Sequence, residues 1–112
     1  MYGKLKNDIL GKKYSLSIAF IPPKKSQEIN KKYRNKNKPT NVLAFPFSPH
    51  EGEILLCPSV IKKEAKKWDK TYEEFMGFLV IHGMLHLKGY KHGRLMEKEE
   101  EKYLSRTKFK IK

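Results

Sequence analysis

Ile81-His82-Gly83-Met84-Leu85-His86-Leu87-Lys88-Gly89-Tyr90-Lys91-His92 carries three of the chain's four histidines. On a helix, residues i and i+4 lie on one face about one turn apart, so His82 and His86 can aim imidazole nitrogens at a common point. The stretch before them supports a helix. Thr71 followed by Glu74 is a capping box, and Phe75, Phe78, Leu79, His82, Leu85 and His86 then repeat as one stripe. Gly89 ends it, because glycine takes the left-handed conformation that closes a helix and turns the chain. That turn lets His92 fold back over the point already addressed by His82 and His86.

Three neutral imidazoles leave a fourth tetrahedral position for water, the arrangement of a catalytic rather than a structural zinc site. A lone histidine on an apolar helix face is more often a satisfied core residue, and an i, i+4 pair arises by chance in many helices. The triple requires a pair, a glycine at the turning position and a third histidine beyond it, which is a far narrower coincidence. The expected cofactor is one zinc ion held by His82, His86 and His92, although three imidazoles also suit nickel, copper or iron. His50 lies outside the pattern and is expected in an exposed loop.

Upstream, Tyr14 to Ile21 alternates apolar and small polar residues as a half-buried strand does, and Pro22-Pro23 stops it. Tyr2, Leu5 and Ile9 have helical spacing ahead of Gly11. Ser26 is expected to cap a helix running to about Arg34, with Ile29 and Tyr33 on its inner side. Val42 to Phe47 and Glu53 to Cys57 read as two strands joined through Ser48-Pro49-His50-Glu51-Gly52. Pro58 suits the first turn of a further helix in which Val60, Ile61, Glu64, Ala65 and Trp68 form the inner stripe. A last, charged helix over about Arg94 to Leu104 has Leu95, Met96, Tyr103 and Leu104 as its apolar contacts, and the acidic run Glu97 to Glu101 reads as its solvated face, with support of a histidine by one of its carboxylates as the weaker alternative. The fold class is α+β: a small mixed sheet with four to five helices and the metal site on a helix and the turn after it.

The length of 112 residues suits one domain, 1–112, and 38% hydrophobic residues suffice for a core without cross-links. Cys57, the single cysteine, has no partner for a disulfide and is expected as a small buried hydrophobe at a strand end. A reducing, cytoplasmic setting follows. No apolar run approaches the roughly 20 residues of a membrane span, and no signal peptide is visible at the start, so no membrane partner is expected. Lys plus Arg number 25 against 12 acidic residues, a formal charge of +13 that favours a polyanion. Nucleic acid is therefore the leading partner class.

The histidine spacing also occurs in metzincin proteases, whose motif is His-Glu-x-x-His-x-x-Gly-x-x-His. Position 83 is Gly where those enzymes carry their general-base Glu, so the group that activates water for peptide hydrolysis is missing. A fuller match exists. Residues 82–92 resemble the His-Gly-x-Leu-His-Leu-x-Gly-Tyr-Asp-His signature of the bacterial YbeY endoribonucleases. Asn30 to Phe47, with Asn30, Tyr33, Arg34, Pro39, Thr40, Val42, Leu43, Phe45 and Pro46, is similar to a second block of that family. Together with Gly52-Glu53-Ile54 the resemblance spans about residues 14 to 104.

The resemblance implies a zinc-dependent, single-strand-specific endoribonuclease acting on ribosomal RNA, including the 3′ end of 16S rRNA, and in ribosome quality control. It makes Arg34 and His82 catalytic positions, with Arg34 holding the scissile phosphate; without the family, Arg34 would read as a surface salt bridge. Lys31, Lys32, Arg34, Lys36 and Lys38 would contact RNA phosphates, with Tyr33, Phe45 or Phe47 available for stacking, although core packing is the expected role of Phe45 and Phe47. Asn41, Ala44, Glu53 and Lys91 depart from the pattern, which has Asp, Ser, Asp and Asp there. The family's first strand has no counterpart, which bears on how complete the sheet is. The rivals are a non-catalytic ribosome-binding protein with a structural metal and a zinc protease.

Overall fold

Alternating residues after Gly11 and the proline pair that follows them define the first strand, and the same local rules set most of the other boundaries. A computed structural model describes residues 2–107. In chain order it has α1 (Gly3–Ile9), β1 (Ser15–Phe20), α2 (Pro23–Arg34), β2 (Val42–Ser48), β3 (Glu51–Leu56), α3 (Pro58–Lys67), α4 (Tyr72–Lys88) and α5 (Arg94–Leu104). This is the α+β class expected, with five helices and one small mixed sheet among the described residues. The strand order is β1-β3-β2, with β1 parallel and β2 antiparallel to the central β3.

Helix α4 is the axis of the molecule. Besides the stripe expected from sequence, Met76, Val80, Ile81 and Met84 are buried, so its apolar surface nearly encircles it. A helix apolar all round is one packed on all sides. Ile54 and Leu56 of β3, Ile61 and Ala65 of α3, Leu5 and Ile9 of α1, and Met96 and Tyr103 of α5 share one apolar cluster with it. Each large side chain so buried contributes about 1.5–3 kcal/mol. The Thr71 capping box is complete: Glu74 N–H donates to the Thr71 hydroxyl at 3.1 Å and Thr71 N–H to the Glu74 carboxylate at 2.8 Å. Cys57 is buried just after β3, as expected.

Several side chains fall elsewhere than their spacing implied. Helix α2 starts at Pro23, so Ser26 lies inside it and does not cap it. The Ser26 hydroxyl instead donates to the Thr40 carbonyl at 2.8 Å and accepts from the Thr40 N–H at 2.9 Å, fastening the later loop to the helix. The inner face of α2 belongs to Ser26 and Asn30, while Tyr33 is 61% exposed. Trp68 is 67% exposed, because the chain leaves α3 at Lys67 and the Trp68 backbone no longer continues the stripe. Leu95 is 74% exposed, since Met96, Glu100 and Tyr103 set the buried face of α5 and place Leu95 about 100° away from it. The β2–β3 hairpin is tighter than expected: Glu51 and Gly52 pair within the ladder, and only Pro49 and His50 turn. Phe47, expected in the core, is 60% exposed and falls at the register shift between Pro46 and Ser48. A bulge of this kind bends the strand and re-aims the side chain at that point.

Candidate metal centre and its cleft

Helical geometry places the His82 and His86 rings one turn apart, with their Nε2 atoms 3.1 Å from each other. Gly89 has φ 112° and ψ 1°, and its N–H donates to the His86 carbonyl while the Tyr90 N–H donates to that of Leu85, both at 3.0 Å. This left-handed cap reverses the chain. It brings the His92 ring centroid to 5.2 Å from that of His82 and 4.7 Å from that of His86. One ring nitrogen from each histidine then lies within 4.8 Å of the others, so the three can hold a metal ion.

The outer nitrogens fix the tautomers. His82 Nδ1 sits 2.5 Å from Oε2 of Glu100, and His86 Nδ1 sits 3.1 Å from the Tyr90 carbonyl oxygen. Both partners accept, so Nδ1 of each ring carries a proton and Nε2 is the nitrogen left to ligate. In neutral rings the two Nε2 lone pairs face each other at 3.1 Å, an arrangement that a cation between them stabilises. Two ligands on a tetrahedral zinc at 2.0–2.1 Å would stand about 3.3 Å apart, close to the separation found. The donor set and its second layer of carboxylate and carbonyl acceptors therefore fit a transition-metal ion. Burial, and next the neighbouring His82, lower the pKa of His86 below the usual histidine value, which favours the neutral form that ligates.

Glu100 is the residue that reading the sequence did not single out, since it left a supporting role to one unspecified carboxylate of the acidic run as the weaker alternative. Only 8% exposed, it lies on α5 within a run that otherwise reads as a solvated acidic face. The available signal was its phase, four residues after buried Met96 and three before buried Tyr103, on the apolar side of the helix. Gly83 has a packing reason. A Cβ there would stand 3.0–3.3 Å from three atoms of the Ile54 side chain, so α4 rests on β3 at the position where a metzincin carries its base.

The histidines open into a cleft of about 620 Å³ whose lining includes Arg34, Asn41 and Gly83 as well as His82, His86 and His92. Arg34 arrives there from the last turn of α2, which Asn35 closes in the left-handed conformation at φ 55°. Buried Asn30 secures the following loop by donating from Nδ2 to the Lys38 carbonyl at 2.9 Å. Lys31, Lys32, Lys36 and Lys38 are exposed and lie outside the lining, so the structure brings Arg34 to the histidines and leaves the lysines on the surrounding surface. Asn41 donates from Nδ2 to Glu64 Oε1 at 2.7 Å. An amide at position 41 can donate to that carboxylate, which an ionised Asp cannot do. Lys91 is exposed, and His50 is exposed in the hairpin turn, apart from the cluster.

Comparison with known proteins gives consistent results. The family model described as Endoribonuclease YbeY matches residues 3–111. Among solved structures, the solution structure of TM1509 from Thermotoga maritima is similar, with a TM-score of 0.65 and 29% identity. That match covers 91% of this chain and 76% of the other. No described helix is long and apolar enough to cross a membrane.

Proposed function

Because the chain belongs to the YbeY endoribonuclease family, we propose that it is a zinc-dependent, single-strand-specific endoribonuclease. In this reading residues 1–112 act as one cytoplasmic domain in the maturation of ribosomal RNA, at the 3′ end of 16S rRNA, and in ribosome quality control. The observation that carries the proposal is the single cleft lined by His82, His86, His92 and Arg34.

His82, His86 and His92 would hold the ion, which when bound supplies Lewis acidity and lowers the pKa of water. The protein's own groups do the rest. Glu100 and the Tyr90 carbonyl hold the Nδ1 atoms of His82 and His86, which fixes the orientation of both rings and leaves Nε2 of each as the nitrogen that faces the site. The Arg34 guanidinium offers a planar fork to two phosphoryl oxygens and stabilises the negative charge that grows on them as the bond breaks. Position 83 has no base, so the attacking group is water or the adjacent ribose 2′-OH. An RNA with one 2′-deoxyribose at the cut site survives intact if the 2′-OH attacks and is cleaved if water attacks.

The experiment compares metal-free protein, zinc-reconstituted protein and His86→Ala for metal content, folding and cleavage of a single-stranded ribosomal RNA fragment. Zinc-restored cleavage that His86→Ala lacks supports catalysis. Unfolding on metal loss, with no cleavage in any state, would instead indicate a structural ion in a ribosome-binding protein.

A further inference from the structure

Beside the histidine cleft lies a second groove of about 610 Å³, and Tyr33 and Phe45 line both. Their rings meet edge to face, centroids 5.3 Å apart at 66°, as a ridge between the two hollows. Phe47 lines the second groove alone, with its ring largely in solvent. Phe45 and Phe47 both border this groove, although the bulge interrupts the strand's alternation at Phe47 and turns the strand there. Two mostly exposed aromatic rings bordering one groove on a strongly basic chain form a recurrent device for single strands, because every base has a π-face.

The polar residues of the groove are of two kinds. Lys25 and Lys32 line it from α2, seven residues and roughly 10 Å apart along the helix. Lys32 Nζ also lies 5.4 Å from the Tyr33 ring centroid. Glu28 and Glu53 line it as well, and Glu53 is steadied by a hydrogen bond accepted from the Ser17 hydroxyl at 3.2 Å. Carboxylates turn phosphate away and accept hydrogen bonds from the amino groups of base edges. Lysines do the reverse.

We propose that this groove is a nucleobase subsite. The strand that presents its phosphate to Arg34 continues over the Tyr33–Phe45 ridge, stacks bases against Tyr33 and Phe47, and lays its phosphates along Lys25 and Lys32. The inference rests on the endoribonuclease reading and deepens it, by naming the path of the nucleotides flanking the cut. It also gives Phe47 a role that packing does not supply.

The test uses full-length zinc-loaded protein and a fluorescein-labelled 2′-O-methyl octacytidylate, its integrity checked on a gel after each anisotropy titration. Phe47→Ala, a truncation at an exposed ring, is expected to weaken binding by about tenfold, the size of one base-stacking interaction. Phe47→Trp should restore it. Single abasic positions along the octamer should identify one or two that weaken binding to the native chain and no longer matter in Phe47→Ala. With a cleavable RNA of the same length, KM should rise in Phe47→Ala while kcat changes little. Binding of the octamer by Phe47→Ala within twofold of the native chain, or abasic effects identical in both, would overturn the subsite even if cleavage is normal. Loss of binding in Phe47→Ala in a protein that cleaves no RNA would leave the subsite standing and overturn the endoribonuclease reading instead.

Discussion

The cleft has two walls of different construction. One wall, from α4 through Gly89 to α5, is set by covalent spacing and burial: two rings one turn apart, a left-handed cap, and a buried carboxylate behind the first ring. The other, the end of α2 and the loop after it, stands in solvent and is tied by side-chain bonds to backbone, Ser26 to Thr40 and Asn30 to Lys38. The first wall has the construction of a site that must hold a small cation with sub-ångström tolerance. The second has that of a surface that meets a flexible polyanion, where charge at long range matters more than exact placement.

If the walls divide the work in this way, substitutions in them separate by kind and by size. The largest effect is expected from His86→Ala, which removes a ligand: bound metal should fall well below one ion per chain, and RNA cleavage by on the order of 10³-fold or more. Metal analysis and a gel assay on one sample check both. Arg34→Ala should lower kcat by roughly 10²-fold to 10³-fold, the range for removal of a transition-state donor, with metal content unchanged. A parallel fall in bound metal would erase the distinction between the walls.

Glu100→Gln tests the layer behind the metal ligands. Replacing the carboxylate with a neutral amide should weaken metal affinity about 10-fold to 100-fold, measured by competition with a chelator. Among the lysines, Lys36→Ala and Lys38→Ala should each weaken RNA binding only a few-fold, and every phosphate left without its cation should flatten the dependence of log K on log salt by about 0.7. An unchanged salt slope in both variants would remove that loop from the RNA surface.

The smallest expected effect is of pH on the metal-free protein. The folded value of His86 lies below the ordinary 6.5, so below that pH the unfolded chain binds more protons than the folded one. Its contribution to stability is fully present above pH 6.5 and is lost as pH falls from there through the lowered folded value. Thermal melts should show this loss in the native chain and a smaller one in His86→Ala.

Legibility in the sequence follows the same division. The α4 capping box, the i, i+4 histidines and the Gly89 turn are local features, dictated by chain geometry, and the structure has them where spacing places them. Helix α5 shows the limit, because the difference between a solvated Glu97 and a buried Glu100 is one of helical phase relative to a partner, and tertiary packing decides the phase. Trp68, Leu95 and Phe47 mark the same limit from the apolar side. Periodicity identifies apolar residues, but where α3 stops, which face α5 buries and where β2 bulges decide whether each of them reaches the core. The approach of Arg34 to the histidines joins α2 to α4 across nearly fifty residues of chain. Spacing says nothing about it, and the family motif alone pointed to it.

The most direct measurement is X-ray absorption at the metal edge of the zinc-reconstituted chain. With the Nε2 atoms of His82 and His86 facing each other and His92 turned back upon them, the expected result is one ion per chain in a shell that includes three imidazole nitrogens at about 2.0–2.1 Å. A shell with fewer than three imidazoles, or one unchanged by His92→Ala, would contradict the convergence on which the cleft's chemistry depends.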